Sequence, residues 1–567
     1  MHQPSMSPRP SIYYPYQVHA AWTPGAGQAR ESLQQVVIAG NGPAGMVTAL
    51  ELARNGVPSV ILTAECQFTQ GSRAIVFTRR SLEILQQVGV ADRLMAAGLP
   101  WRFGNSYYRG QQVFRMEAPK SDDDRFWPML NIQQQYLEEY LHEACVATGL
   151  IEVRWGNKVT GVNQLADQVR VQVDTPAGEY ELPTQWLVAA DGGRSVVRNL
   201  LGLGMEGTSY EGHFVIADIR VDLPLPTERL AFFDPPWNPG NTVLMHREPH
   251  GIWRVDYQLP KGESPEEALK PERLTERINA QLAMIGHAGV AWELDWSSVY
   301  SARTLTLSDY WHQRVLFVGD AAHLLPIFGV RGANTAFQDA QSLGWHLAWV
   351  CRGLARPGLL ANFSAERVGA AREIIAEAGK SVRFMAPPGW GHECVRNAVL
   401  SLSLTQAFVR PLYHWRTSRP HEYTHSVLNA VDDDNAVFES GPAQGAAPIN
   451  VRLSPDSFLL DHLGGGFDLL WFSDEALPPA LSAEITVWRT QGWPIRVVAL
   501  GQRQAPVPGA DLSLHDASGQ ARRRYGVLEE GACYLLRPDQ HVCARWQRLD
   551  AHRLRRALAR INPEPLA

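Results

Sequence analysis

Cysteine is scarce: Cys66, Cys145, Cys351, Cys394, Cys533 and Cys543 are scattered over 567 residues. No two form a Cys-x-x-Cys pair, which removes the usual zinc-ribbon and dithiol readings and fits a reducing, cytoplasmic setting. Uninterrupted apolar runs long enough to span a bilayer are missing, and the first residues lack the basic start and apolar core of a signal peptide. Positive charge is not in excess either. Lys and Arg number 52 against 58 Asp and Glu, a net charge of -6 without a basic cluster, so neither nucleic acid nor a membrane surface is expected as a partner. No internal repeats are evident.

Apolar residues make up 45% and charged residues 19%, enough to build a large core. The length exceeds what one core usually serves, so two or three domains are expected. Residues 1–32, rich in Pro, Ser and Gly, read as an irregular arm whose tyrosines are available for docking. Strand-like and helical segments alternate from Val36 to about residue 380, as an α/β domain with an inserted sheet requires, and long helices follow to about 425. The acidic, then small-residue stretch 431–448 reads as a linker. Residues 449–567 read as a small separate α/β domain ending in a hairpin and a basic helix near Ala551 to Ile561.

Three segments carry chemistry. In QQVVIAGNGPAGMVTALELARNGVPSVILTAE, an apolar strand runs into Gly40-Asn-Gly42-Pro43-Ala44-Gly45, then a helix, then a second strand ending at Glu65. Gly40 permits the tight turn, Gly42 lets the backbone approach a pyrophosphate and Gly45 lets helix and strand pack closely; the helix start offers free N–H groups to phosphate, and Glu65 can accept from a ribose. Gly202-Leu-Gly204-Met-Glu-Gly207 matches the same expression but follows a helix-like stretch and precedes no amphipathic helix, so it is rejected, and no second dinucleotide unit is evident. The other two segments are WLVAADGGRSVVRNLLG, a strand ending in Asp191-Gly192, and RVLFVGDAAHLLPIFGVRGANTAFQDAQ, a strand ending in Gly319-Asp320. Each sets a carboxylate at the carboxyl end of a strand, where ligands of open α/β sheets bind.

With these motifs in this order, residues 33 to 430 resemble the flavoprotein aromatic hydroxylases of the para-hydroxybenzoate hydroxylase family. WRVDYQLP and the loop after Gly319-Asp320 resemble the branch containing 3-(3-hydroxyphenyl)propionate hydroxylase and phenol hydroxylase, and RYGVLEEGACYLLRPDQHVCARW resembles the final hairpin of that branch's thioredoxin-like domain. The resemblance implies a Rossmann-like FAD-binding domain (33–430) with an interleaved substrate-binding β-sheet (about 100–130 and 205–305) and a C-terminal thioredoxin-like domain (449–567). FAD would be held by Gly40, Gly42, Pro43, Ala44, Gly45 and Glu65 at its ADP half, by Arg73, by Gln134 (Gln133 in the alternative register), by Asp191, and by Gly319 and Asp320 at the ribityl chain. NADPH or NADH would be the reductant and oxygen the cosubstrate, a C4a-hydroperoxyflavin transferring oxygen to a phenolic or other electron-rich ring. The family's Gly-Gly-Gln-Gly loop reads here Gly329-Val-Arg331-Gly332-Ala333-Asn334, and Ile75 stands where some phenol-type relatives carry a polar residue.

A helix starting at Gly332, Ala333 and Asn334 would point its positive end at an anionic reduced flavin. Pro326 offers a backbone carbonyl on the substrate side. Alternation along Trp253–Leu259 puts Arg254, Asp256 and Gln258 on one strand face, either simply solvated or able to attract a carboxylate or the flavin (Arg254) and deprotonate a phenol (Asp256), with His246 in the same cavity. Other function classes stay open: an FAD-dependent oxidase or dehydrogenase of another small molecule, or a noncatalytic flavin binder. His421-Glu-Tyr-Thr-His425 fits the zinc-protease expression but lacks an amphipathic helix and a third ligand, and no metal site is expected. His323 is read as structural. For the C-terminal domain, packing or subunit association is expected, which leaves a homodimer open.

Overall fold

The computed structural model describes residues 1–25, 31–71, 73–326, 329–413 and 420–561, without the side chains of 209–211 and 302. Part of the arm (26–30), residues 327 and 328 of the loop after Pro326, and the last six residues of the C-terminal segment lie outside the described residues.

The first sheet is built on five parallel strands in the order Val315–Phe317, Gly178–Ala189, Gln34–Ala39, Ser59–Leu62 and Ile151–Arg154, with Trp311–His312 antiparallel at one edge. Val36, Val37 and Ile38 are fully buried in a core shared with helices and with the antiparallel strands Lys158–Gln164 and Val169–Thr175 that extend the sheet. Pro43–Arg54 and Gly332–Cys351 are two of these helices, and they pack against each other. The parallel register brings the carboxyl ends of Gln34–Ala39, Gly178–Ala189 and Val315–Phe317 side by side, so all three fingerprint turns open on the same edge. Gly202 instead follows a short helix, Val196–Leu200, and leads into the strand Glu206–Val221, which explains why its glycine pattern builds no phosphate turn.

The second sheet has eight strands in the order His323–Leu324, Trp292–Thr306, Glu206–Val221, Ile252–Gln258, Thr242–Arg247, Arg229–Phe233, Phe103–Tyr108 and Gln111–Glu117. One face, with Val215, Ala217, Val255 and Tyr257, closes a core with Leu274, Ile278 and Leu282 of the helix Pro271–Met284. On the other face Phe214, Ala231, Phe233 and Leu244 pack with Val382, Phe384 and Leu400. The short strand His323–Leu324, immediately after Gly319-Asp320, is itself part of this second sheet, so the third fingerprint stitches the two together.

The C-terminal segment forms a five-stranded sheet ordered Leu512–His515, Ile495–Gly501, Phe467–Phe472, Ala532–Leu536 and Val542–Trp546, the first three parallel and the last two antiparallel. Its core includes Trp345 and Trp349 of the helix Gly332–Cys351 along with Phe467, Trp493 and Trp546. Cys533 and Cys543 are buried free thiols; the register sets Cys533 opposite Trp546, and burial pushes the Cys543 thiol up to about 12. The acidic stretch after Val431, read from composition as flexible, is tied to this sheet. Arg545 donates to Asn435 Oδ1 at 2.7 Å, Arg553 pairs with Asp434 at 2.6 Å, and Gln444 donates to the Ala430 carbonyl at 2.7 Å. Its acids serve as partners for basic residues that the sequence places more than a hundred positions later.

Candidate active site

At the end of the first strand Gly40 takes φ +116°, where a Cβ would stand 2.3 Å from the Ala190 carbonyl oxygen; a Cβ on Gly45 would stand 2.1 Å from the Gly40 oxygen. Both positions therefore require glycine. A Cβ on Gly42, by contrast, meets nothing within 4 Å, and Gly42 and Pro43 start the helix without a side-chain cap. That leaves an open approach to unsatisfied helical N–H groups. Asn41, which sequence reasoning passed over, has both its amide nitrogen and oxygen buried at this turn without a protein partner. An oxygen-rich, phosphate-bearing group fits this cradle.

Around the turn the other fingerprint residues converge. Ala44 lies beside Gly319, whose Cβ would come within 3.0 Å of the Ala44 Cβ. Asp191 accepts from the Val197 amide at 3.0 Å through Oδ2, while its buried Oδ1 has no protein partner. Arg198 fastens the second fingerprint to the third by donating to the Ala321 carbonyl at 2.9 Å and the Gly193 carbonyl at 2.8 Å. Asp320 is solvent-accessible yet set deep in the fold; that enclosure raises its pKa against the attraction of His323 and Arg73. Arg73 is exposed and close enough to Asp320 to act on it electrostatically. Gln134 accepts from the Ala74 amide at 3.0 Å and donates to Glu138 at 2.7 Å, beside Arg73; fully buried Gln133 donates to the Pro249 carbonyl at 3.0 Å. Glu65 is about half exposed and pairs with Arg9 of the arm at 2.7 Å.

The helix Gly332–Cys351 starts where expected, with open space at Gly332. The Asn334 side chain is engaged within the protein. Its Oδ1 accepts from the Thr78 amide at 2.8 Å and Ser81 at 2.6 Å, and its Nδ2 donates to the Val76 and Val330 carbonyls at 2.9 and 2.7 Å. Only its backbone is left for a ligand. Val330, a β-branched residue, holds φ +55°, a strained turn just before the helix. Pro326 is buried, next to Leu325, whose carbonyl accepts from the Tyr300 hydroxyl at 3.0 Å.

The family model described as FAD binding domain matches residues 34–378. The chain belongs to that FAD-binding family. It is 27% identical over 469 residues to a 3-(3-hydroxy-phenyl)propionate/3-hydroxycinnamic acid hydroxylase of Mycolicibacterium smegmatis, covering 81% of this chain and 80% of the relative. It is also 27% identical over 517 residues to the protein of that name from Escherichia coli O81, covering 90% and 91%. Its fold is similar to that of the flavin-dependent monooxygenase PieE in complex with FAD and substrate (TM-score 0.78, 23% identity, 94% of this chain and 99% of that one). A second fold match is aklavinone-11 hydroxylase with FAD and aklavinone (TM-score 0.74, 24% identity, 94% and 100%).

The second sheet carries a polar face. The register puts Trp296, Asp218, Arg254 and His246 in one row and Ser298, Ile216, Asp256 and Leu244 in the next. Tyr300 on the same face reaches the Leu325 carbonyl, and Trp296 lies against Gly71, where a Cβ would meet its ring at 2.2 Å. The face is thus clamped to the loops around Pro326 and Arg73 rather than solvated: Arg254 is 3% and Asp256 6% exposed. Asp218, missed in the sequence because it lies on another strand, takes Arg254 in a two-point pair at 2.8 and 2.9 Å. Arg254 is thereby held by the protein instead of standing ready for a substrate carboxylate.

Glu248, also missed, has both carboxyl oxygens buried without a hydrogen-bond partner, 3.7 Å from the Arg254 Nε. Burial, reinforced by Asp218, raises its pKa well above the ordinary value. Burial likewise raises Asp256 to about 7 although Arg254 opposes the shift, and its Oδ1 has no hydrogen-bond partner. His246, buried beside Arg229 and Arg254, is driven well below its ordinary pKa and stays neutral. A cavity of about 550 Å³ is lined by Pro100, Trp101, Phe103, Lys120, Trp127 and Thr227, among others. Trp101 belongs to a small core with Ile75, Val76, Ala118 and Met129, against which Val330 of the strained loop packs.

Two further sequence signals resolve. His323 is fully buried with its Nε2 2.7 Å from Asp339, which also accepts from Arg367 at 2.6 Å and the Gly319 amide at 3.0 Å, so this network anchors the third fingerprint. His421–His425 is not helical. Tyr423 within it is buried and accepts from Arg367 at 2.8 Å, so the segment serves the same network.

Proposed function

We propose that the protein is an FAD-dependent, NAD(P)H-consuming monooxygenase that hydroxylates a phenolic or other electron-rich aromatic compound. The observation that carries this reading is the apposition of the buried polar face holding Asp256 to the flavin-side loop at Leu325 and Pro326. The hydroxylase names of its relatives support the same class. FAD would be held by Gly40, Gly42, Pro43, Ala44, Gly45 and Asn41 at the phosphates, by Glu65 at the ribose, by Asp320, Asp191, Arg73 and Gln134 along the chain, and by the first N–H groups from Gly332 to Asn334. Bound there, it supplies the activation of oxygen, and the protein supplies position and field.

Asp256 is the proposed base for the phenol proton. Its raised pKa places the change of protonation near neutrality, where a base is most effective. The Arg254–Asp218 pair fixes the local field, neutral His246 offers a hydrogen-bonding ring, and Pro326 offers its carbonyl. Removal of the phenol proton enriches the ring carbon that receives oxygen. In this reading kcat/KM rises with pH through an apparent pKa near 7, because the carboxylate form grows above that value. Asp256→Asn is expected to remove that limb and lower the rate about 100-fold or more. An unchanged profile would remove Asp256 from the role.

We further assign residues 33–430 to the monooxygenase domain, with 431–448 joining it to 449–567. The parallel and antiparallel order of the last sheet supports a thioredoxin-like domain; without Cys-x-x-Cys we give it a packing role. Among the described residues no helix is long and apolar enough to cross a membrane. A cytoplasmic enzyme acting on a small molecule, without nucleic-acid or membrane partners, fits the reading. A homodimer belongs to it as the form to test by light scattering. The test of function is NAD(P)H oxidation under oxygen with a panel of phenols and aminoarenes, followed by mass analysis. A product heavier by one oxygen is expected. Peroxide formation indifferent to every substrate would favour the oxidase alternative.

A further inference from the structure

The arm's role does not follow from any fingerprint, yet the arm is bonded along the very segment that carries the ribose acid. His2 meets the Ala64 carbonyl at 2.6 Å, and Gln67 accepts from the Arg9 amide at 3.0 Å while donating to the Ser7 carbonyl at 3.0 Å. Arg9 donates to the Phe68 carbonyl and, through its other terminal nitrogen, to Glu65 Oε2 at 2.7 Å. Tyr16 donates to the Thr69 carbonyl at 2.9 Å and accepts from the Gly71 amide at 3.3 Å. The His19 amide meets the Cys66 carbonyl at 2.7 Å, and the His19 ring stacks on Trp155 at 4.1 Å. Six successive residues, Ala64 to Thr69, are thus engaged by the arm. Farther along, Ser11 and the Ile12 amide both donate to Asp295 at 2.7 Å, so the arm also reaches the second sheet.

We propose that Arg9 is a positioning residue for the adenosine end of the cofactor. It holds the Glu65 carboxylate through Oε2 and leaves Oε1, which no described bond engages, to accept from a ribose hydroxyl. The inference rests on the reading of Glu65 as the ribose ligand of FAD. A free glutamate at the end of a strand samples several rotamers; one pinned by a guanidinium has lost that freedom before the ligand arrives, so less binding energy is spent on ordering it. The guanidinium is itself oriented by the Phe68 carbonyl, which makes the pair a fixed bracket rather than a casual surface contact. Because Glu65 is half exposed, the effect is moderate in size and sensitive to salt.

The test uses the full chain as holoenzyme and reads FAD itself. FAD dissociation is followed by the recovery of flavin fluorescence on dilution, in wild type, Arg9→Ala, Arg9→Lys, Glu65→Gln and the double variant, with apoprotein melting as a folding control. Arg9→Ala is expected to raise the FAD Kd roughly three- to tenfold, Arg9→Lys to recover part of it, and high salt to shrink the difference. In the Glu65→Gln background Arg9→Ala is expected to add nothing, the signature of acting through Glu65. An unchanged or tighter Kd in Arg9→Ala overturns the proposal, as does an undiminished effect in the Glu65→Gln background. A wild-type protein that binds no FAD would instead sink the cofactor reading beneath it.

Discussion

Gly42 and Gly45 are three positions apart, have the same side chain and should fail differently. A methyl at Gly45 collides with the Gly40 oxygen at 2.1 Å, whereas at Gly42 it stands in open space. Gly45→Ala should therefore destabilise the apoprotein by about 1–3 kcal/mol, read as a lower melting temperature. Gly42→Ala should leave apoprotein melting unchanged while weakening FAD on the order of tenfold or more, about 1.4 kcal/mol or greater, read by fluorescence titration. The tight packing at Gly45 was legible in the sequence because the spacing of glycines after a strand encodes backbone geometry. Asn41 was not legible, because only the fold shows that both its polar atoms are buried without a protein partner. The side-chain partners of Asn334 were not legible either, because Thr78 and Ser81 lie more than 250 positions away.

The helix Gly332–Cys351 joins the flavin edge to the rest of the fold, and Asp339 fixes it. Burial alone would raise the Asp339 pKa, but Arg367 and His323 outweigh it and hold the carboxylate below its ordinary value. A depressed folded-state pKa means that the stabilisation is present above the ordinary carboxylate range and is lost as pH falls through the folded value. Asp339→Asn should leave Arg367 buried without its counter-charge, cost about 3–5 kcal/mol and flatten the acid limb of the stability curve. Urea unfolding at several pH values checks both. Strand alternation in Trp253–Leu259 showed correctly which side chains share a face, since period 2 is local. It did not show that the face is buried, nor that Asp218 from a neighbouring strand takes Arg254; those depend on pairing register.

Across the whole molecule, the C-terminal segment inserts the turn after Leu536 into the FAD-binding part. Arg537 is 1% exposed and makes a two-point pair with Glu366 at 2.7 and 2.9 Å and a bond to Asp539 at 2.6 Å. Asp539 in turn accepts from Trp345, and its carbonyl accepts from Arg80, both at 3.0 Å. Arg537→Ala should strand Glu366 and Asp539, cost about 3–5 kcal/mol and split a single calorimetric transition into two. The flavin edge, the polar face and the C-terminal buttress act together on one helix and one loop, and their purpose in this account is oxygen transfer to an aromatic ring. The most direct measurement is turnover under 18O2 with NAD(P)H and a panel of phenols, followed by mass spectrometry of the products. The account predicts one labelled oxygen in the ring product for each productively oxidised NAD(P)H. Unlabelled substrate, with all the consumed oxygen recovered as peroxide across the panel, would contradict it.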